Sequence, residues 1–158
     1  MKFNLPYIQE ALLPSLGKTN KLIHFYLNEK FKEKNIDLNK EQAILLNIIH
    51  ANDGLIQNEL AYFTNRDKTS LTRLIHSLEK KGFVARIPSK TDKRKNEIYL
   101  TKSGHVMMDS IIPIMKQSVL ELEEGISQEE KIIVKKVLTK MRNNIANNSN
   151  VAIPTNYE

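Results

Sequence analysis

Between residues 57 and 81 the chain holds two helical segments separated by too few residues to do anything but turn. The pattern predicts a short helix over about 57–63, four linking residues, and a helix over about 68–81. In the second helix Leu71, Leu74, Ile75 and Leu78 recur at i, i+3, i+4 and i+7. They occupy an arc of roughly 100°, so one face must be buried. Thr69, Thr72, Arg73, His76 and Lys80 then fall on the opposite face, which is polar and cationic. Gly82 is placed to stop the helix, and the β-favouring Phe83, Val84 and Ile87 start a short strand over 83–87. A matching strand over 97–101 alternates Ile98 and Leu100 with Glu97, Tyr99 and Thr101. The loop 88–96 between them carries four cations and one acid. A helix-turn-helix followed by a two-stranded basic hairpin is a winged helix-turn-helix.

The flanking segments are helical too. Over 15–34, Leu16, Ile23, Leu27 and Phe31 form one stripe, while Leu22 and Phe25 project from other faces. Asn39 caps a second helix through His50 that carries Ala43, Leu45, Leu46, Ile48 and Ile49, and Gly54 ends that unit. Thr101 caps a long helix striped by Met108, Ile111, Ile112, Met115, Val119 and Leu122, with Pro113 expected to bend it. Ser127 and Glu130 form a capping box for a last helix carrying Val134, Val137, Leu138, Met141 and Ile145, and beyond Ala146 a polar, frayed tail is expected. The expected fold is mainly α with a small β-hairpin wing, divided into an N-terminal dimerisation region 1–36, a winged lobe 37–101, C-terminal dimerisation helices 102–147 and a tail 148–158. The helices flanking the lobe carry more apolar surface than it can cover, which favours a pair of chains.

Charge narrows the partner. Residues 66–102 contain eleven Lys and Arg against four Asp and Glu, a local excess of +7, while the rest of the chain carries −1 out of a total of +6. Positive charge confined to a quarter of the chain points to a nucleic-acid backbone. At 158 residues the chain suits one compact domain, and with no cysteine it has no thiolate nucleophile, thiol switch or disulfide. No apolar run approaches a membrane span, so a cytoplasmic protein is expected. No phosphate-cradling glycine loop or nucleophile elbow is present, and the expectation is a non-enzyme without cofactor. His24, His50, His76 and His105 lie 26, 26 and 29 residues apart, so no pair forms a helical metal clamp and no metal is expected.

Specific motifs accompany this arrangement. The runs Asp67-Lys68-Thr69-Ser70-Leu71-Thr72-Arg73-Leu74-Ile75 and Leu78-Glu79-Lys80-Lys81-Gly82-Phe83-Val84 precede Asp92-Lys93-Arg94 and Leu100-Thr101-Lys102-Ser103-Gly104. Upstream stand Leu38-Asn39-Lys40-Glu41-Gln42 and Gln57-Asn58-Glu59-Leu60-Ala61. Together, over about residues 15–146, they closely resemble the MarR family of regulators. The resemblance implies a homodimer on double-stranded DNA, with two winged lobes in successive major grooves of a pseudo-palindromic operator, more often repressing than activating. It also implies release by a small aromatic or phenolic anion bound between dimerisation helices and lobe. Phe25, Phe31 and His50 lie near that junction, where core packing is the expected role.

The expected DNA-contacting residues follow. Arg73 is placed to donate bidentately to guanine, and its position matches the base-reading arginine of the resembled family. Lys68, Thr69, Ser70 and Thr72 sit in the first turns of the same helix, with His76 further along it. Arg94 suits insertion in the minor groove, with Asp92 two positions earlier to orient it, and Lys90, Lys93 and Lys95 suit phosphate. Gln57 and Asn58 are placed to donate to phosphate, although Ile56 stands where the resembled family has a Ser or Thr cap. The alternative is a winged helix that binds proteins, or DNA architecturally, without a sensed ligand.

Overall fold

The computed structural model describes residue 8 and residues 10–148. The described elements run α1 (Leu12–Glu33), α2 (Lys40–Ala51), β1 (Leu55–Ile56), α3 (Gln57–Thr64), α4 (Lys68–Lys80), β2 (Val84–Pro88), β3 (Asn96–Leu100), α5 (Lys102–Leu122) and α6 (Gln128–Asn148). α1 begins three residues before the expected start, because Pro14 falls in its first turn, where a missing N–H costs no hydrogen bond. α6 continues past Ala146 to Asn148, and the rest of the expected tail lies outside the described residues.

The caps read from the sequence form. Asn39 and Gln42 make a reciprocal box at α2, with the Asn39 carboxamide oxygen accepting Gln42 N–H at 2.9 Å and the Gln42 oxygen accepting Asn39 N–H at 3.0 Å. Ser127 and Glu130 do the same at α6. α4 ends on Gly82 at φ +75°, with Gly82 N–H on Glu79 carbonyl and Phe83 N–H on Leu78 carbonyl, so the last carbonyls of the helix are satisfied.

The wing is a three-stranded antiparallel sheet, order β1-β3-β2, rather than the expected two-stranded hairpin. Leu55 pairs with Ile98 and Ile56 with Glu97. A two-residue strand leaves no alternation to read, and its existence depends on a partner forty residues away. Pro88 and Asn96, expected in the loop, also pair. Gly54, at φ +78°, turns the chain into β1 beneath Tyr99; a Cβ there would lie 2.6 Å from the Tyr99 hydroxyl.

One core joins the elements. Phe31 of α1, Leu45, Leu46 and Ile49 of α2, Leu60 of α3, Leu71, Ile75 and Leu78 of α4, Ile98 of β3, and Met108 and Ile111 of α5 are all buried together. Phe31 packs as expected, but Phe25 and His50 do not: both are exposed, and the His50 ring instead meets that of His105, with centroids 5.7 Å apart. The fold thus pairs two histidines that spacing kept apart, yet no group of three His, Cys, Asp or Glu among the described residues is arranged to hold a metal. The α5 stripe divides in the same way. Met108 and Ile111 are buried, whereas Ile112, Val119 and Leu122 are exposed in the single chain.

α5 meets the lobe at its start through Thr101, whose hydroxyl donates to Gly82 carbonyl at 2.6 Å and accepts Gly104 N–H at 3.0 Å. Further along, Glu121 ties α5 to α1. It accepts from the Tyr26 hydroxyl, from Lys30 Nζ at 2.9 Å and from Gln117 Nε2 at 3.0 Å. The Tyr26 hydroxyl, then Lys30 and Gln117, hold its carboxyl down at about 2, and the Glu121 carboxylate in turn pushes the Tyr26 phenol up.

Two outcomes follow. A Cβ at Gly104 would stand 2.1 Å from the Phe83 carbonyl oxygen, and backbone cannot yield as a side chain does. Gly104→Ala is expected to cost about 1–3 kcal/mol, read by urea unfolding. Because the Glu121 carboxyl lies below its ordinary 4.5 in the folded chain, its contribution is complete above that value and is lost as pH falls toward about 2. Glu121→Gln should therefore lower the melting temperature at pH 7, and the difference from the parent chain should shrink across that acid range.

Candidate nucleic-acid interface

The helix carrying the outward polar face is set by its own cap and its apolar stripe. Asp67 caps α4 by accepting Ser70 N–H at 2.8 Å. With Leu71, Ile75 and Leu78 buried, Thr69, Arg73, His76 and Lys80 are exposed on the opposite side. Lys68 opens the helix, also exposed. Thr72, expected on the outward face, stands at its margin and is half-buried. Its hydroxyl donates to Lys68 carbonyl at 2.6 Å and accepts from Gln57 Nε2. The Gln57 amide, expected to point outward, is thereby used within the lobe. Ser70 is also engaged, accepting from Arg66 Nη1 at 3.2 Å. His76 is exposed with Nδ1 3.9 Å from Glu79.

The wing tip is built to hold Arg94 outward. Ser89 N–H donates to Lys95 carbonyl and Lys95 N–H to Asp92 carbonyl, both at 2.9 Å, which closes the loop on itself. Inside it the buried Ser89 hydroxyl shares a hydrogen bond with Thr91 Oγ1 at 3.0 Å. Asp92 accepts from Arg94 twice, from the backbone N–H at 3.1 Å and from Nε at 3.3 Å. Lys95 Nζ lies 3.6 Å from the same carboxylate. The Arg94 N–H above all, with the guanidinium and Lys95 behind it, holds the Asp92 carboxyl below the usual carboxylate range. The Arg94 side chain is 93% exposed while Asp92 is largely covered. The acid therefore orients a projecting arginine, as the two-residue spacing predicted. Lys90 and Lys93 are exposed on either side.

Helix and wing converge. Ile56, Gln57 and Asn58 at the start of α3, Lys68 at the start of α4, and Arg94, Lys95 and Asn96 from the wing line one cleft of ≈ 230 Å³. Three cations and the positive ends of two helices border it, with no acid among the lining residues. Ile56 offers no side-chain acceptor to the first turn of α3, as expected; only the other half of a capping box forms there, the Glu59 carboxylate accepting Ile56 N–H at 2.8 Å.

Three residues near this surface had no role in the sequence reading. Arg66 lies in the turn between α3 and α4, bonded to Ser70 beside the N-terminus of α4. Its place within the turn is the signal that could have singled it out. Asn96 lines the cleft from the first position of β3. Arg86 of β2 reaches Glu79 at the far end of α4, Nε to carboxylate 3.8 Å.

Comparison with known proteins places this geometry. The family model described as the MarR family matches residues 38–95, from the start of α2 to the wing tip. The HTH-type transcriptional regulator YybA of Bacillus subtilis is 28% identical over 138 residues, covering 85% of this chain and 88% of that protein. The HTH-type transcriptional regulator YdgJ of the same organism is 30% identical over 110 residues, covering 70% of this chain and 67% of its own length. The crystal structure of the S. aureus MepR–DNA complex superposes with a TM-score of 0.78 at 27% identity, covering 87% of this chain and 98% of that one. A helix with a polar outward face, a braced arginine at the tip of a basic wing, and relatives that share both the sequence and the winged architecture lead to one assignment: the chain belongs to the MarR family of transcriptional regulators, and is not an enzyme.

Proposed function

We propose that two copies of this chain bind a pseudo-palindromic duplex in the cytoplasm and repress transcription there. Each lobe lays α4 in a major groove and the Arg94 wing in the adjacent minor groove. The observation that carries this is the cleft where Lys68 of α4 meets Arg94 and Lys95 of the wing. A B-DNA major groove about 12 Å wide admits a helix, and the minor groove of about 6 Å admits an extended arginine but no helix. Two elements that share one cationic cleft therefore straddle a single phosphate strand between the grooves.

In this reading Arg73 contacts a base edge, and Thr69 and His76 lie along the same exposed face. Lys68, Ser70 and Asn58 approach phosphate with Lys90, Lys93 and Lys95. Asp92, Gln57 and Thr72 act on DNA through the groups that they hold. Pairing is supported by the apolar groups left uncovered in the single chain. Leu22 and Phe25 of α1 are 58% and 56% exposed, and α6 buries none of its side chains although Ile132, Ile133, Val134 and Ile145 lie along it. Two-fold pairing places half-sites about 10 base pairs apart. A dimer across consecutive grooves excludes other proteins from that DNA, which is the simplest route to repression. The small aromatic or phenolic anion implied by the family acts by preferring one spacing of the lobes, since a ligand shifts only states that it binds unequally.

Selection from a random duplex library is expected to return an inverted repeat with centres about one helical turn apart. Recovery of no preferred sequence would favour an architectural or protein-binding role. On the recovered duplex, Arg73→Ala should cost about 1–3 kcal/mol and relax preference at one position per half-site. Arg94→Ala should weaken binding with no change in thermal stability, because its side chain leaves the core. Asp92→Ala should weaken it in the same direction and less, since the guanidinium stays but loses its brace. Anisotropy titrations check all three, and equal losses for Arg73→Ala on every duplex would reassign that residue to phosphate.

A further inference from the structure

The apolar stripe of α4 fixes its depth in the lobe and the face that it buries, but apolar contact is non-directional and sets the finer rotation of the helix less tightly. Side-chain hydrogen bonds supply the missing constraint. With 100° per residue, Thr72 and Ser77 stand on opposite flanks of the buried stripe, each about 110° from its centre. They bound the outward face formed by Thr69, Arg73, His76 and Lys80. Each flank is held by a carboxamide from a neighbouring helix. Gln57 Nε2 of α3 donates to the Thr72 hydroxyl, and Gln42 Nε2 of α2 donates to the Ser77 hydroxyl at 2.8 Å.

The Gln42 side is the more confined. Gln42 is only 7% exposed, and its carboxamide is fully directed: the oxygen accepts Asn39 N–H while the nitrogen reaches Ser77. Asn39 is fixed in turn by Gln42 N–H, and the next residue, Lys40, gives its N–H to Asn28 Oδ1 of α1 at 3.0 Å. The amide that grips α4 is thus seated in the cap of α2 and anchored to α1, so it has no free rotamer with which to follow a turning α4.

We propose that Gln42 is a positioning residue that sets the rotation of α4 about its own axis, and through it the ability of this chain to discriminate one duplex sequence from another. The inference rests on the reading of α4 as the base-contacting helix. Rotation matters because base contacts are directional whereas phosphate contacts are not. A turn of roughly 20° carries an arginine tip about 9 Å from the helix axis through about 3 Å, the length of a hydrogen bond. Arg73 would then miss guanine O6 and N7 while the cations around it still met the backbone.

The test compares affinity for the duplex recovered by selection with affinity for a scrambled duplex of equal length and composition. Gln42→Met, which keeps the shape and removes the amide, and Ser77→Ala are each expected to shrink the affinity ratio about 3- to 10-fold. Affinity for the scrambled duplex and its salt dependence should stay as they were. The double variant should fall no further than either single one. Gln42→Glu should restore the ratio, since Ser77 can then donate to the carboxylate and Asn39 N–H keeps its acceptor. A purely structural role would lower the folded fraction and weaken both duplexes alike, leaving the ratio intact; that result, or an additive loss in the double variant, would overturn the proposal. If Gln42→Met does not fold, Ser77→Ala decides the matter alone. A parent chain that binds both duplexes equally would overturn the reading of α4 as a base reader, and this inference with it.

Discussion

The outward polar face of the molecule depends on the burial of Leu71, Ile75 and Leu78 of α4 in one core with Leu45, Leu46, Ile49, Leu60, Ile98 and Met108. Each such side chain contributes about 1.5–3 kcal/mol when removed from water, more than any polar contact around the helix. A helix seated so firmly by one face must present the other, and the polar groups at 69, 73, 76 and 80 are the ones that result. The same core takes in Ile98 of β3 and Met108 of α5, and the wing that β3 carries lines one cleft with the α4 N-terminus. Recognition face and wing are therefore two consequences of one apolar contact.

The features legible in the sequence are those whose cause lies within about one turn of the residue concerned. The Asn39, Thr101 and Ser127 caps and the Asp92 brace on Arg94 rest on partners no more than three residues away, the α4 stripe and the Gly82 stop are patterns read along one helix, and all form. The unread features depend on distant partners. β1 exists because Leu55 finds Ile98. The Gln57 amide is claimed by Thr72, 15 residues on, and that of Gln42 by Ser77, 35 residues on. His50 was assigned to a core that other groups filled, and it meets His105 at the surface instead. Carboxamides are especially opaque in a sequence, since the same group suits phosphate, a cap or a neighbouring helix equally well.

Electrostatics and geometry divide the labour at this surface. In the proposed mode of binding, the wing cations and Lys68 attract phosphate whatever the sequence, and in doing so they align the duplex. Discrimination falls to a few directional groups on α4, and directional groups are only as selective as their support is stiff. This accounts for acids in a region that must approach a polyanion. Asp67 caps α4 and Asp92 braces Arg94. Each would repel a phosphate, and each fixes the orientation of a group that the proposed complex sets against DNA.

α5 carries the same logic to the proposed dimer. Its first turns belong to the lobe, with Gly104 against Phe83 and Met108 and Ile111 in the core, while its far end holds Val119 and Leu122 among the uncovered apolar groups and Glu121 on α1. A helix of 21 residues is about 30 Å long. A tilt of roughly 10° at the paired end therefore displaces the lobe by about 5 Å, more than the 3.4 Å rise of one base pair. Gly104, Met108 and Ile111 seat the start of α5 in the lobe, so such a displacement would be passed on to α4. In the proposed dimer, fit to two half-sites at once would then be governed by contacts at the far end of α5, which is where a small ligand that prefers one tilt would have the most leverage.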